Sequence, residues 1–166
     1  MPVYLRYLIS LVIVISDQIT KIAADRMIQL YDRIEVLPVF NLTLHYNKGA
    51  AFSFLSNAGG WQRYFLTGIS AVVSVVLIIW LARLLKTEKI MTWSLALILG
   101  GAVGNLIDRA IYGHVIDFIE LHWNNAYFPS FNIADSAITV GTILLIWATF
   151  TEGDGSPDNE SNNTAS

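Results

Sequence analysis

Residues 64–82 read YFLTGISAVVSVVLIIWLA, nineteen residues without a charge, bracketed by Arg63 and Arg83. As a helix rising 1.5 Å per residue, such a run covers roughly 29 Å, about the hydrocarbon thickness of a bilayer. Working outward, Ile90 to Ile107 supplies eighteen more uncharged residues between Lys89 and Asp108, and a run from Ile133 to Thr151 is broken only by Asp135. Towards the N-terminus, Tyr7 to Ser16 is ten residues long before Asp17. It reaches spanning length only if the helix carries Asp17, Gln18 and Lys21 onward to about Ala24. A short apolar run after Arg6 also fits a cleavable signal peptide. Three further spans and no clear small-x-small cleavage site favour a permanent helix. The pattern therefore predicts an all-α membrane protein with four transmembrane helices, at about 5–24, 64–82, 90–109 and 133–151, in a single domain covering 1–151.

Composition agrees with that class. The 166 residues are 54% hydrophobic and 14% charged. The formal charge of -3 is concentrated at the end, because Glu152, Asp154, Asp158 and Glu160 lie in the last sixteen residues. Without them nine acids face ten bases, so neither a nucleic-acid footprint nor an acidic binding surface is expected. The segment 152–166 reads as a disordered acidic tail. The chain has no cysteine, which excludes disulfides, a thiol nucleophile and thiolate metal sites. His45, His114 and His122 are scattered and form no HExxH pair, so neither a metal nor a cofactor is expected.

Short basic loops set orientation. Arg83, Lys86 and Lys89 between spans two and three, with Arg6 at the start, place both termini in the cytoplasm, although Lys21, Arg26, Arg33, Lys48 and Arg63 fall on the other side. The opposite face carries two non-helical stretches. Phe40 to Tyr46 alternates apolar and polar residues with a period of two, predicting a small extracytoplasmic β region at about 30–57, between helices one and two. Tyr112 to Asn132 is rich in aromatics, with Trp123, Tyr127, Phe128 and Phe131, residues that favour the membrane interface.

Ionisable groups inside spans are costly and point to function. Asp17 and Lys21, four apart, share a helical face and can neutralise each other, which is also what an ion pair that only locks the bundle would do. Asn105, Asp108 and Arg109 repeat that spacing on helix three, after a small-x-x-x-small pattern at Gly100 and Gly104 that allows close approach. Asp135 lies in the first turn of helix four, where the helix dipole alone favours a carboxylate. Asp117 has no such reason, for it stands between Ile116 and Phe118, where burial raises a carboxyl pKa. Two carboxyls sharing one proton can activate water and protonate a peptide carbonyl without metal, thiol or histidine. Other readings use the same residues: a Ser-Lys protease (Ser16 or Ser53 with Lys21 or Lys48), a small transporter, or an assembly factor in which the aspartates lock helices.

Five stretches together resemble the lipoprotein signal peptidase family (signal peptidase II, prolipoprotein signal peptidase). They are Asp17-Gln18-x-x-Lys21, Asn47-x-Gly49-Ala50-Ala51-Phe52, Gly100-Gly101-Ala102-x-Gly104-Asn105-x-Ile107-Asp108-Arg109, Val115-x-Asp117-Phe118-Ile119 and Phe131-Asn132-x-Ala134-Asp135. They occur in the family's order across most of residues 17–138. The resemblance implies an aspartic endopeptidase of the bacterial cytoplasmic (inner) membrane, with its active site near the extracytoplasmic face. Its substrate would be a prolipoprotein carrying a diacylglyceryl group, so the partners are a signal-peptide helix, that lipid group and membrane lipids. The cut falls just before the lipidated cysteine. By motif match Asp117 and Asp135 are the catalytic pair. Asn47, Gly49, Asn105, Arg109, Asn132 and Ala134 are implied to support the pair or hold substrate, and Asp17, Lys21 and Asp108 to be structural polar residues.

Overall fold

The computed structural model describes residues 1–49, 60–85 and 87–151. The motif residues Ala50, Ala51 and Phe52, with Ser53, Lys86 and the acidic tail 152–166, lie outside the described residues. Among the described residues four helices are long and apolar enough to cross a membrane: α1 (Val3–Met27), α2 (Trp61–Arg83), α3 (Lys89–Ile111) and α4 (Ile133–Thr151). The first continues past Ala24 to Met27, carrying Asp17, Gln18 and Lys21 within it. Between α1 and α2 run β1 (Arg33–Leu37) and β2 (Phe40–Asn47); between α3 and α4 run β3 (Val115–Trp123) and β4 (Ala126–Tyr127).

Helix α3 is the central post. Its most apolar window is 56% buried, against 22% or less in the other three helices, whose outward faces present residues such as Leu11, Val72, Val76, Ile143 and Trp147. Two glycines let α4 and α1 close on it. A Cβ on Gly101 would meet the Ala134 carbonyl and Ile138, and one on Gly104 would sit 2.6 Å from an Asp17 carboxylate oxygen. Backbones that approach this closely also exchange polar bonds: Ser10 Oγ donates to the Ala96 carbonyl at 2.8 Å, and Ser94 Oγ to that of Gly141 at 2.9 Å. Leu77, Leu81, Leu95, Ala96 and Leu99 fill the core between α2 and α3.

Arginines terminate two helices. The last carbonyls of a helix have no internal donors. Arg6 donates to the carbonyls of Leu81 and Leu84 at the end of α2. Arg63 donates to those of Arg109 and Ala110 at the end of α3. These contacts put the start of α1 beside the end of α2, and the start of α2 beside the end of α3, so the helices alternate in direction.

The strands form one antiparallel sheet in the order β1-β2-β3-β4 at the end of the bundle where α4 begins. It is larger than the β region expected between the first two spans, because β3 and β4 come from the connection between α3 and α4. Strand β3 escapes a period-two reading since Val115, Ile116, Asp117 and Phe118 are all buried in succession; a strand covered on both faces does not alternate. A polar ladder crosses the four strands. Glu120 accepts bonds from Arg33 (2.7 Å) and Asn41 (2.9 Å), and the Arg33 guanidinium lies 4.2 Å from the centre of the Tyr127 ring. Beneath the sheet, Leu44, Ile116 and Phe118 pack on Ala24 and Ile28 at the end of α1.

Candidate active site

Asn132 immediately precedes α4. Its side-chain oxygen accepts the Asp135 backbone N–H at 2.9 Å, and Asp135 Oδ2 accepts the Asn132 backbone N–H at 3.3 Å. This reciprocal pair is a capping box closed by aspartate, and it holds Asp135 at the first turn of α4. The Asn132 amide group then donates to Asp117 Oδ1 at 2.7 Å and to the Ile116 carbonyl at 3.3 Å. One fully buried asparagine thus touches both candidate carboxylates, one on a strand and one on a helix.

Each carboxylate has a second asparagine. Asn47, the last residue of β2, donates to Asp117 Oδ2 at 3.1 Å while its own oxygen accepts the Gly49 N–H at 3.0 Å. Asn105 on α3 donates to Asp135 Oδ1 at 2.8 Å. Asp117 is 2% exposed. Burial first, and the neighbouring Asp135 second, push its carboxyl up to about 7, against the opposing bonds from Asn47 and Asn132. A carboxyl raised to that level carries a proton for a substantial fraction of the time at neutral pH.

Below the pair lies a buried ionic cluster. Lys21 Nζ contacts Asp17 Oδ2 at 2.7 Å, Asp108 Oδ2 at 2.9 Å and Asn105 Oδ1 at 2.9 Å. The two acids use their remaining capacity on backbone. Asp17 Oδ1 accepts the Ala134 N–H at 2.8 Å, and Asp108 Oδ2 accepts the Ile116 N–H at 3.1 Å. Each therefore grips the residue just before one of the candidate carboxylates. Gln18 adds a bond to Asp108 Oδ1 at 2.9 Å.

Above the pair opens a cavity of about 1290 Å³. Asn47, Asn105, Arg109, Asp117 and Asp135 form its polar end, and Val73, Ile98, Leu121, Phe131, Ile138 and Val140 are among its apolar walls. The aromatics expected at the membrane interface, Trp123, Tyr127, Phe128 and Phe131, all line it. Arg109 donates to the Gly49 carbonyl at 3.3 Å and to that of Asn105 at 3.5 Å, tying the turn after β2 to α3. Ala134 is fully buried against α3, so its contribution is its backbone N–H and its small size. Ser70, Val73 and Ile138 carry no sequence signal for a cavity wall, since in the chain they look like any lipid-facing residue. Among the described residues no three His, Asp or Glu side chains gather as metal ligands would.

A family model described as signal peptidase (SPase) II matches residues 9–151. The chain belongs to that family. Curated relatives agree along most of their length. A lipoprotein signal peptidase of Acinetobacter baylyi is 54% identical over 142 residues, covering 86% of this chain and 79% of the relative. One from Ectopseudomonas mendocina is 52% identical over 140 residues, covering 83% of each. A solved bacterial membrane enzyme superposes with a TM-score of 0.81 at 32% identity, covering 96% of this chain and 94% of that one. A second gives 0.77 at 35% identity, with 89% and 93% covered. As a member of the signal peptidase II family the chain is a multi-pass membrane peptidase.

Proposed function

We propose that this chain is an aspartic endopeptidase that removes the signal peptide from diacylglyceryl-modified bacterial prolipoproteins, cutting just before the lipidated cysteine, with Asp117 and Asp135 as the reacting pair. The observation that carries the reading is the single buried asparagine, Asn132, bonded to Asp117 through its side-chain amide and to the Asp135 carboxylate through its backbone N–H, at the polar end of a large apolar cavity. An acyl-bearing substrate needs an apolar wall for its chains and a polar end for the scissile amide; the cavity supplies both. Two names among the relatives, lipoprotein signal peptidases from separate genera, point to the same substrate class.

In the proposed cycle the pair begins with one proton, carried by Asp117, and Asp135 is aimed by N–H donors from Asn105 and Asn132. Asp135 takes a proton from water as the water oxygen bonds to the scissile carbonyl carbon. Asp117 gives its proton to the carbonyl oxygen, producing a gem-diol. Asp135 then protonates the amide nitrogen as the C–N bond breaks, and Asp117 recovers a proton from a diol hydroxyl. The products are an amine and a carboxylic acid, and the pair again holds one proton. Asn47, Asn105 and Asn132 hold the carboxyls, while Gly49 and Arg109 shape the rim against the substrate backbone. Asp17, Lys21, Asp108 and Ala134 support them from below. No cofactor takes part. The domain is residues 1–151, placed in the cytoplasmic membrane with both termini inside and the site at the outer face.

The capping box favours a second reading in which Asp135 serves α4 alone. One experiment separates them: cleavage of a diacylglyceryl-modified prolipoprotein by purified Asp117→Asn and Asp135→Asn, with thermal midpoints on the same preparations. The expected result is loss of turnover in both with the fold retained. Substantial turnover by either variant refutes the pair, and activity that falls only as the fold is lost returns both residues to a structural role.

A further inference from the structure

Three asparagines orient the two carboxylates, and two of them are locked by backbone. Asn47 and Asn132 each have their side-chain oxygen occupied by a main-chain N–H, which forces the amide NH₂ towards Asp117. Among the described residues no main-chain N–H donates to the Asn105 oxygen. That oxygen accepts from Lys21 Nζ at 2.9 Å and, at the longer distance of 3.4 Å, from the Asn132 amide. An ammonium has three donors and no acceptor, so only the oxygen of Asn105 can face it. The NH₂ is then left for Asp135 Oδ1, 2.8 Å away. The reversed amide would set NH₂ against an ammonium and a carbonyl oxygen against a carboxylate, both repulsive in a buried site.

We infer that Lys21 is a positioning residue for the reaction, acting through Asn105 to keep an N–H donor on Asp135. This goes beyond its ion pairs with Asp17 and Asp108, which would hold the helices together whichever way Asn105 pointed. The inference rests on Asp117 and Asp135 being the reacting pair. It assigns the third hydrogen of the ammonium to chemistry: the donor on Asp135 keeps that carboxylate aimed while water loses its proton. Lys21 is 1% exposed, so it touches no substrate, and its effect on the reaction passes through the groups around it.

Lys21→Met alone strands two buried carboxylates and endangers folding. The test therefore uses Lys21→Met/Asp17→Asn, which removes one charge of each sign. The new amide keeps an oxygen for the Ala134 N–H, and Asp17→Asn alone is the reference. Both are assayed with and without Asn105→Ala, after thermal midpoints establish that each is folded. With Asn105 present, adding Lys21→Met lowers kcat at least about tenfold and leaves KM within about twofold; with Asn105→Ala present, the same change moves kcat by less than about twofold. Undiminished kcat in the first background overturns the inference, as does an equal loss in both, which is what a purely structural lysine gives. Asp117→Asn and Asp135→Asn run alongside. If they are inactive while the Lys21 variant keeps full kcat, only the relay fails; if they turn over substrate, the carboxylate pair fails and takes the relay with it.

Discussion

At the scale of the residue, Asp117 links stability to pH. In the unfolded chain it titrates near the ordinary carboxylate value of 3.8, and in the fold burial pushes it up to about 7. Between those values the folded chain holds a proton that the unfolded chain has lost. The stabilisation is therefore fully present at acid pH and disappears as pH rises through the folded value. At 1.4 kcal/mol per unit the loss is on the order of 4 kcal/mol. Asp117→Asn does not titrate. Its thermal midpoint relative to the parent chain should therefore climb between pH 5 and pH 8. A difference that stays flat over that range would show that Asp117 does not carry the raised value. The candidate residues themselves were legible in the chain. A carboxylate between Ile116 and Phe118 has no ordinary reason to be there, and neither has an asparagine or arginine in an apolar helix. Their bonding was not legible, since Asn105 reaches both Lys21 and Asp135 across 84 and 30 residues of sequence.

At the scale of the element, α3 works because it is thin where α1 and α4 cross it. A Cβ at Gly104 would fall 2.6 Å from Asp17 Oδ2 and 3.3 Å from the Ala134 Cβ, whereas one at Gly68, on the lipid-facing side of α2, would meet nothing within 4 Å. Gly104→Ala should therefore destabilise by about 1–3 kcal/mol through overpacking. Gly68→Ala should be neutral or stabilising by about 0.5–1 kcal/mol through helix propensity. Thermal midpoints in one detergent check the pair, and equal stability of the two variants would mean that the α1–α3–α4 crossing has slack. Helix existence followed directly from apolar run length. Strand β3 did not, because a strand buried on both faces and a short interfacial loop look alike until their partners are known.

At the scale of the whole molecule, alternating helix directions set the sheet, the carboxylates and the cavity at one end of the bundle, and Arg6 with the α2–α3 link at the other. In the proposed orientation the basic residues Arg6, Arg83 and Lys89 put that second end in the cytoplasm. The absence of native cysteine makes the test clean. In spheroplasts an impermeant thiol reagent should label Glu35→Cys, on exposed β1, without lysis. Thr87→Cys, between α2 and α3, should react only after permeabilisation. The opposite pattern would invert the orientation and move the site to the cytoplasmic face.

The four spans, the membrane class and the candidate polar residues were determined by sequence alone, because they depend on quantities local to the chain: the length of an apolar run, the charge of a loop, and the cost of an ion in hydrocarbon. Tertiary structure decided everything that needs two segments at once. It paired β3 from the α3–α4 connection with β2 from the α1–α2 connection, so that Asp117 faces the start of α4. It turned aromatics that suit any membrane interface into the wall of a cavity. It also converted four acids and a lysine scattered from residue 17 to residue 135 into one network bonded through asparagines. The physical reason is the same each time: hydrogen bonds and ion pairs are short-ranged and directional, so their partners are settled by packing and cannot be read from spacing.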